Sequence, residues 1–182
     1  MEVVEPHKKA IQAEEEEANA VAMEAQYMKI ECENNLAKAL PILKQALAAL
    51  DTIKPSHINE IKVLQHPPIG VKTVLHAVCV LCDRKCEKTP KKDNPKQLED
   101  NWWLTAQKFM AEKNFLQQLL DFDKDNIPDV TIDRIQREFL DDPDFRPKRV
   151  EKASFAAKGL CEWVIKLKQY DEIVRFIKPK RQ

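Results

Sequence analysis

An all-α fold is predicted by three features of the sequence. Glycine occurs only twice in 182 residues, at Gly70 and Gly159, which leaves few of the turns that sheets and phosphate-binding loops need. Ala, Leu, Glu and Lys dominate the chain, and these are strong helix formers. Apolar residues also recur three and four positions apart along most of its length. The length suits one modest domain with an extension.

Residues 7–53 read as one long helix. Ala18, Val21, Ala25, Met28 and Cys32 follow the spacing of a coiled-coil seam. A leucine stripe continues it at Leu36, Leu40, Leu43, Leu47 and Leu50. Three successive steps of four between Met28 and Leu40 make the seam drift across the helix face, as a stutter does. Pro41 lies inside this stretch and is expected to kink the helix, since it removes a hydrogen bond. A coiled coil needs a second strand, supplied either by the C-terminal part of this chain or by another chain.

Pro55 ends the long helix. Ser56 is the expected N-cap of a short helix over 57–65, with Glu60 near its start. Pro67-Pro68 closes it. A third helix over 69–82 carries Val71, Val74, Leu75, Val78 and Cys82 on one face. Residues 83–101, with two prolines and many Lys and Asp, read as a polar loop. Helix resumes at Trp102 with Ala106 and Phe109, breaks near Lys113-Asn114, and continues through Phe115, Leu116, Leu119 and Leu120. Asp125-Asn126-Ile127-Pro128 is turn chemistry. A short helix carrying Ile132, Ile135 and Phe139 precedes a final helix over 148–177. The final helix is marked by Val150, Ala153, Ala157, Leu160, Val164 and Leu167. Gly159 inside it costs about 1 kcal/mol relative to alanine, so close packing against a neighbour is expected there. The expected architecture is a compact helical bundle whose first and last helices leave it as arms.

Overall charge is zero, but it is unevenly spread. Residues 1–53 hold 5 Lys/Arg against 10 Asp/Glu, and residues 54–182 hold 25 against 20. An acidic arm on a basic head points to an acidic partner for the head, where a solvated mixture of charges needs none. No apolar run approaches the roughly 20 residues of a membrane span, and the acidic start is unlike a signal peptide. No membrane partner is expected. Five cysteines with no secretory mark read as free thiols in a reducing compartment.

Chemistry is sparse. Neither glycine precedes a Lys-Ser/Thr pair, so no phosphate-cradling Walker loop exists in the chain. Asp121-Phe122-Asp123-Lys124-Asp125 opens like a calcium loop. However, its sixth position is Asn126, Pro128 interrupts it, and Ile132 stands where a bidentate glutamate belongs. His76, Cys79, Cys82 and Cys86 have zinc-like spacing, but a single helix cannot turn all four towards one ion unless it ends before Cys82. Buried thiols acting as small apolar groups are the preferred reading. No serine or cysteine has a histidine neighbour in a nucleophile motif. Neither a catalytic residue, a metal ligand nor a cofactor is assigned.

Five stretches in order carry a resemblance. They are Ala39-Leu40-Pro41-Ile42-Leu43 with Ala46-Leu47-Ala48-Ala49-Leu50-Asp51-Thr52-Ile53-Lys54-Pro55; Glu60-Ile61-Lys62 with Pro67-Pro68; Val71-Lys72 with Ala77-Val78-Cys79; Asp123-Lys124-Asp125-Asn126-Ile127-Pro128; and Gly159-Leu160-Cys161-Glu162-Trp163-Val164. Together, over roughly residues 18–182, they resemble the stalk and microtubule-binding domain of dynein heavy chains. The long segment between Val80 and Trp102 is more similar to axonemal than to cytoplasmic members.

The resemblance implies a helical head at the tip of an antiparallel coiled-coil stalk. Residues 1–53 would be the outgoing strand, 54–167 the head and 168–182 the start of the returning strand. It implies docking on α/β-tubulin in an axoneme, or alternatively in the cytoplasm. Sliding of one strand on the other would relay the nucleotide state of a distant ATPase ring, the remainder of the heavy chain. It also implies a docking face made of the helix after Pro55, the helix after Trp102 and the start of the last helix. The matching positions are Lys54, His57, Lys62, Gln65, Lys108, Lys148, Arg149, Lys152 and Lys158. Each lysine alone is an ordinary solvated charge worth under about 1 kcal/mol; as a cluster they would attract and orient an acidic polymer. Two other classes compete. A nucleic-acid module could use the basic head with Trp102 and Trp103 as stacking platforms, although the acidic residues among them oppose a phosphate track. A non-motor coiled-coil scaffold would make the head incidental.

Overall fold

The computed structural model describes residues 4–181, with side chains described over 8–177. Helix α1, Val4–Asp51, runs without interruption through Pro41, whose ring is exposed. Its buried seam consists of Cys32, Ala39 and Ala46, successive seven-residue steps that Ile53, two residues past the helix end, continues. Ala49 and Leu50 are also buried, and Leu36 and Leu43 are half-buried.

This corrects the expected stripe. Leu40 and Leu47 face outwards, 50% and 36% exposed, while the alanine before each is fully buried. The seam therefore keeps a strict heptad step and does not drift. The cause is the closeness of the returning helix α8, Phe155–Arg181. A Cβ added at Gly159 would lie 3.0 Å from the Ala49 carbonyl oxygen and from Ile53. At that separation only small side chains fit between the helices, so alanines take the seam and leucines its flanks. The expected close packing at Gly159 is found. Every side chain from Lys8 to Tyr27, including Ala18, Val21 and Ala25, is exposed.

Between these two helices the chain builds a small head. Helix α2, Pro55–Lys62, starts one residue before the expected cap. Pro55 takes the first helical position, for which its fixed φ is suited. Lys54 is therefore the N-cap, in extended conformation with φ −96° and ψ 151°, and its N–H donates to His57 Nδ1 at 3.2 Å. Ser56 does not cap. Helix α3, Ile69–Leu81, buries Val71, Val74, Leu75 and Val78. It ends where Asp83 adopts a positive φ of 56°, and Arg84 N–H returns to the Cys79 carbonyl at 2.9 Å.

Residues 83–101 are not a loop. Strands β1, Glu87–Pro90, and β2, Leu98–Asn101, pair antiparallel with Glu87 opposite Asn101. Lys88 bridges to Asp100 across the strands at 3.1 Å, and the Glu87 N–H donates to Thr105 Oγ1 at 2.8 Å. Charge pairing and backbone bonds hold the hairpin without apolar alternation, which is why composition read it as loop.

The remaining helices are α4, Trp102–Met110, α5, Phe115–Leu120, and α6, Asp129–Ile135. A π-helical turn over Gln136–Leu140 extends α6. The expected single last helix is two, α7, Pro147–Glu151, and α8. Ser154 Oγ accepts the Ala157 N–H at 3.2 Å, so a new N-cap restarts the chain after a break at residues 152–154. Ala153 is accordingly exposed, while Leu160, Trp163, Val164 and Leu167 fill the core. The fold is mainly helical, as expected. Among the described residues no helix is long and apolar enough to cross a membrane.

Candidate functional site

The start of α2 and the start of α8 meet at the end of the molecule where α1 finishes. The His57 ring stands edge-on to Phe155 with centroids 6.1 Å apart. Lys158 Nζ lies 5.8 Å from the Phe155 ring centroid and 3.4 Å from Glu151 of α7. The first residues of α3 adjoin α7 as well, since a Cβ on Gly70 would touch Val150 at 4.0 Å. This end therefore gathers Lys54 and His57 from α2, Lys148 and Arg149 from α7, Lys152 from the following break, and Lys158 from α8.

The other expected residues lie at its margin. Lys62 closes α2, and its carbonyl accepts Gln107 Nε2 of α4 at 2.9 Å. Gln65 is exposed in the corner that follows. Lys108 stands apart, paired with Glu87 of the hairpin at 3.1 Å.

Ion pairing divides the set. Arg149 pairs with Asp144, Lys158 with Glu151 and Lys108 with Glu87. Among the described residues, Lys54, Lys62, Lys148 and Lys152 form no internal ion pair. Lys54 caps α2 and Lys62 ends it, Lys148 lies in α7 and Lys152 directly follows it, and all four remain available to an external acidic surface.

Sequence reasoning missed two features. Val63 and Ile69, in the α2–α3 corner, are 69% and 82% exposed. Their signal was apolar residues that belong to neither helix stripe. The second feature lies where α8 leaves the head. Tyr170 Oη donates to Asp125 at 2.8 Å. Arg175 donates to the Ile127 carbonyl at 2.6 Å and pairs with Asp129 and with Asp171, which is buried. The Asp125-Asn126-Ile127-Pro128 turn is thus the socket for α8. In the same segment the Asn126 amide donates to Asp123 at 3.0 Å.

Burial pushes the Cys79 and Cys82 thiols up to about 12, which leaves them protonated small apolar groups at neutral pH. Among the described residues, no group of three or more His, Cys, Asp or Glu is arranged to hold a metal ion. His76 stacks on Trp102 at 4.3 Å and meets Phe139 edge-on at 4.9 Å. Its burial there lowers its pKa to about 4, with Arg134 contributing in the same direction.

Comparisons with known proteins agree with this geometry. The family model described as the microtubule-binding stalk of dynein motor matches residues 2–182. The chain is 42% identical to dynein axonemal heavy chain 3 of Mus musculus over 172 residues. It is 34% identical to the dynein beta chain of the flagellar outer arm of Chlamydomonas reinhardtii over 181 residues. These alignments cover 94% and 98% of this chain but only 4% of each relative. A solved microtubule-binding domain of DYNEIN-C superposes with a TM-score of 0.69 at 43% identity, over 83% of this chain and 96% of that one. The chain belongs to the family of microtubule-binding stalks of dynein motors.

Proposed function

We propose that the chain docks on the microtubule through the end where α2, α7 and the start of α8 meet. Lys54, His57, Lys62, Gln65, Lys148, Arg149, Lys152 and Lys158 form the docking face, and Lys108 lies at its edge. One observation carries this reading: Lys54, Lys62, Lys148 and Lys152 are exposed or half-buried and lack internal ion pairs among the described residues. Unneutralised cations in and beside helices α2 and α7 attract an acidic polymer and orient the head on it.

Within this reading residues 1–53 are the outgoing stalk strand, 54–167 the head and 168–182 the start of the returning strand. Sliding of α1 on α8 within this reading requires two registers that lie close in energy. Catalysis is absent from this segment, and nucleotide hydrolysis belongs to other parts of the heavy chain. The names of the relatives support a place in the axoneme of a cilium or flagellum. Microtubule co-sedimentation of charge-reversed variants tests the docking face. Loss of binding that depends on position supports it, and loss that follows net charge alone removes it.

A further inference from the structure

The corner between α2 and α3 exposes apolar side chains at fixed positions. Val63 is 69% and Ile69 82% exposed, while Val71 and Val74, a short way along α3, are fully buried. The corner is not loose chain. Trp103 Nε1 donates to the Leu64 carbonyl at 3.1 Å, Gln107 Nε2 donates to the Lys62 carbonyl at 2.9 Å, and Pro67 is buried. Helix α4 thus holds the corner's backbone with two side chains. Exposed isoleucine and valine contribute nothing to the core, yet their backbone is preorganised, which lowers the ordering cost of a contact made with them.

The corner is continuous with the cationic end. Val63 directly follows Lys62, and Ile69 lines a cleft of about 320 Å³ with Asp142, Asp144 and Arg149, the last two paired with each other. We propose that Val63 and Ile69 form an apolar wedge that seats on the tubulin lattice and supplies a salt-resistant part of the microtubule affinity. This rests on the docking face proposed above and divides its labour: the lysines steer, and the wedge holds. A second copy of the chain is the poorer occupant. A two-fold contact through this corner would bring Lys62, which has no internal ion pair among the described residues, towards the same charge on the other copy. An acidic polymer meets it with opposite charge. Arg149 adds nothing to this choice, being paired with Asp144.

Co-sedimentation of the 182-residue chain with microtubules across a range of salt concentrations tests the wedge. Ile69→Ser and Val63→Ser are each expected to weaken binding roughly three- to tenfold at every salt concentration, as loss of one buried apolar contact does. The slope of log affinity against log salt should stay unchanged. Val130→Ser, which alters a valine 78% exposed on α6, serves as the control and should bind like the parent. Both wedge positions are so exposed that the thermal transition should remain, and circular dichroism checks this. If both wedge variants bind like the control, or if their losses vanish at high salt, the wedge is overturned. Lys62→Glu separates the two readings, because it should lower both affinity and salt slope. If it changes neither while Ile69→Ser weakens binding, the lysine face fails and the wedge stands.

Discussion

Gly159 of α8 lies against the backbone of α1 so closely that a Cβ there would sit 3.0 Å from the Ala49 carbonyl oxygen. Alanine is favoured over glycine by about 1 kcal/mol in a helix interior. Here the carbonyl belongs to a helix backbone and cannot swing aside, and overpacking costs about 1–3 kcal/mol. Gly159→Ala is therefore expected to lower stability by about 1 kcal/mol net, a fall in Tm of roughly 2–4 °C. Thermal denaturation measures it. A rise in Tm would mean that the two helices can separate without cost.

That contact also shows what the sequence could convey. Apolar spacing revealed that α1 has a seam, and Pro55 marked the start of α2. That helix ends at Lys62, short of the expected Gln65, and Pro67-Pro68 instead precede α3, with Pro68 as its N-cap. The choice between Leu40 and Ala39, or Leu47 and Ala46, was not legible, because hydrophobicity favours leucine inside while helix separation favours alanine. The hairpin was hidden because its strands alternate no apolar residues. In the site, the lysines were legible as charges. Which of them are neutralised was not, since Arg149 and Lys158 find their carboxylates only after α7 and α8 turn. The Arg175 contact with Ile127 spans 48 residues and left no local pattern.

His76 titration should make stability depend on acidity. Its pKa falls from an ordinary 6.5 to about 4 in the folded chain, through burial first and Arg134 second, with Glu138 and Asp100 opposing. Between those values the unfolded chain binds a proton that the folded one refuses, so stability rises with pH across this window. The contribution is complete above about 6.5 and is lost as pH falls towards 4. His76→Phe retains an aromatic partner for Trp102 and should flatten the dependence of urea midpoints between pH 4 and 6.5. An unchanged slope would place the titration elsewhere.

The socket at the root of α8 should be measurable as well. Tyr170→Phe removes the bond to Asp125 and is expected to cost about 1 kcal/mol. Arg175→Gln loses its charge-assisted bonds around Ile127 and Asp129, at about 1–3 kcal/mol. Hydrogen exchange should quicken at residues 125–129 and along α8 beyond Tyr170 in both variants, with α2 and α4 unaffected. Uniform quickening throughout the head would show that these residues support global stability only.

Charge reversal combined with microtubule co-sedimentation bears most directly on the docking face. Lys62→Glu and Lys152→Glu lie on the proposed face, while Lys91→Glu and Lys92→Glu lie in the exposed hairpin turn. All four alter net charge equally, so position is isolated from overall charge. At 0.1 M salt, where the Debye length is about 10 Å, the first pair should weaken binding about tenfold and the second pair less than twofold. The difference should shrink towards 1 M salt, where screening acts over about 3 Å. Equal losses at all four positions would contradict the assigned face and leave net charge alone as the source of attraction.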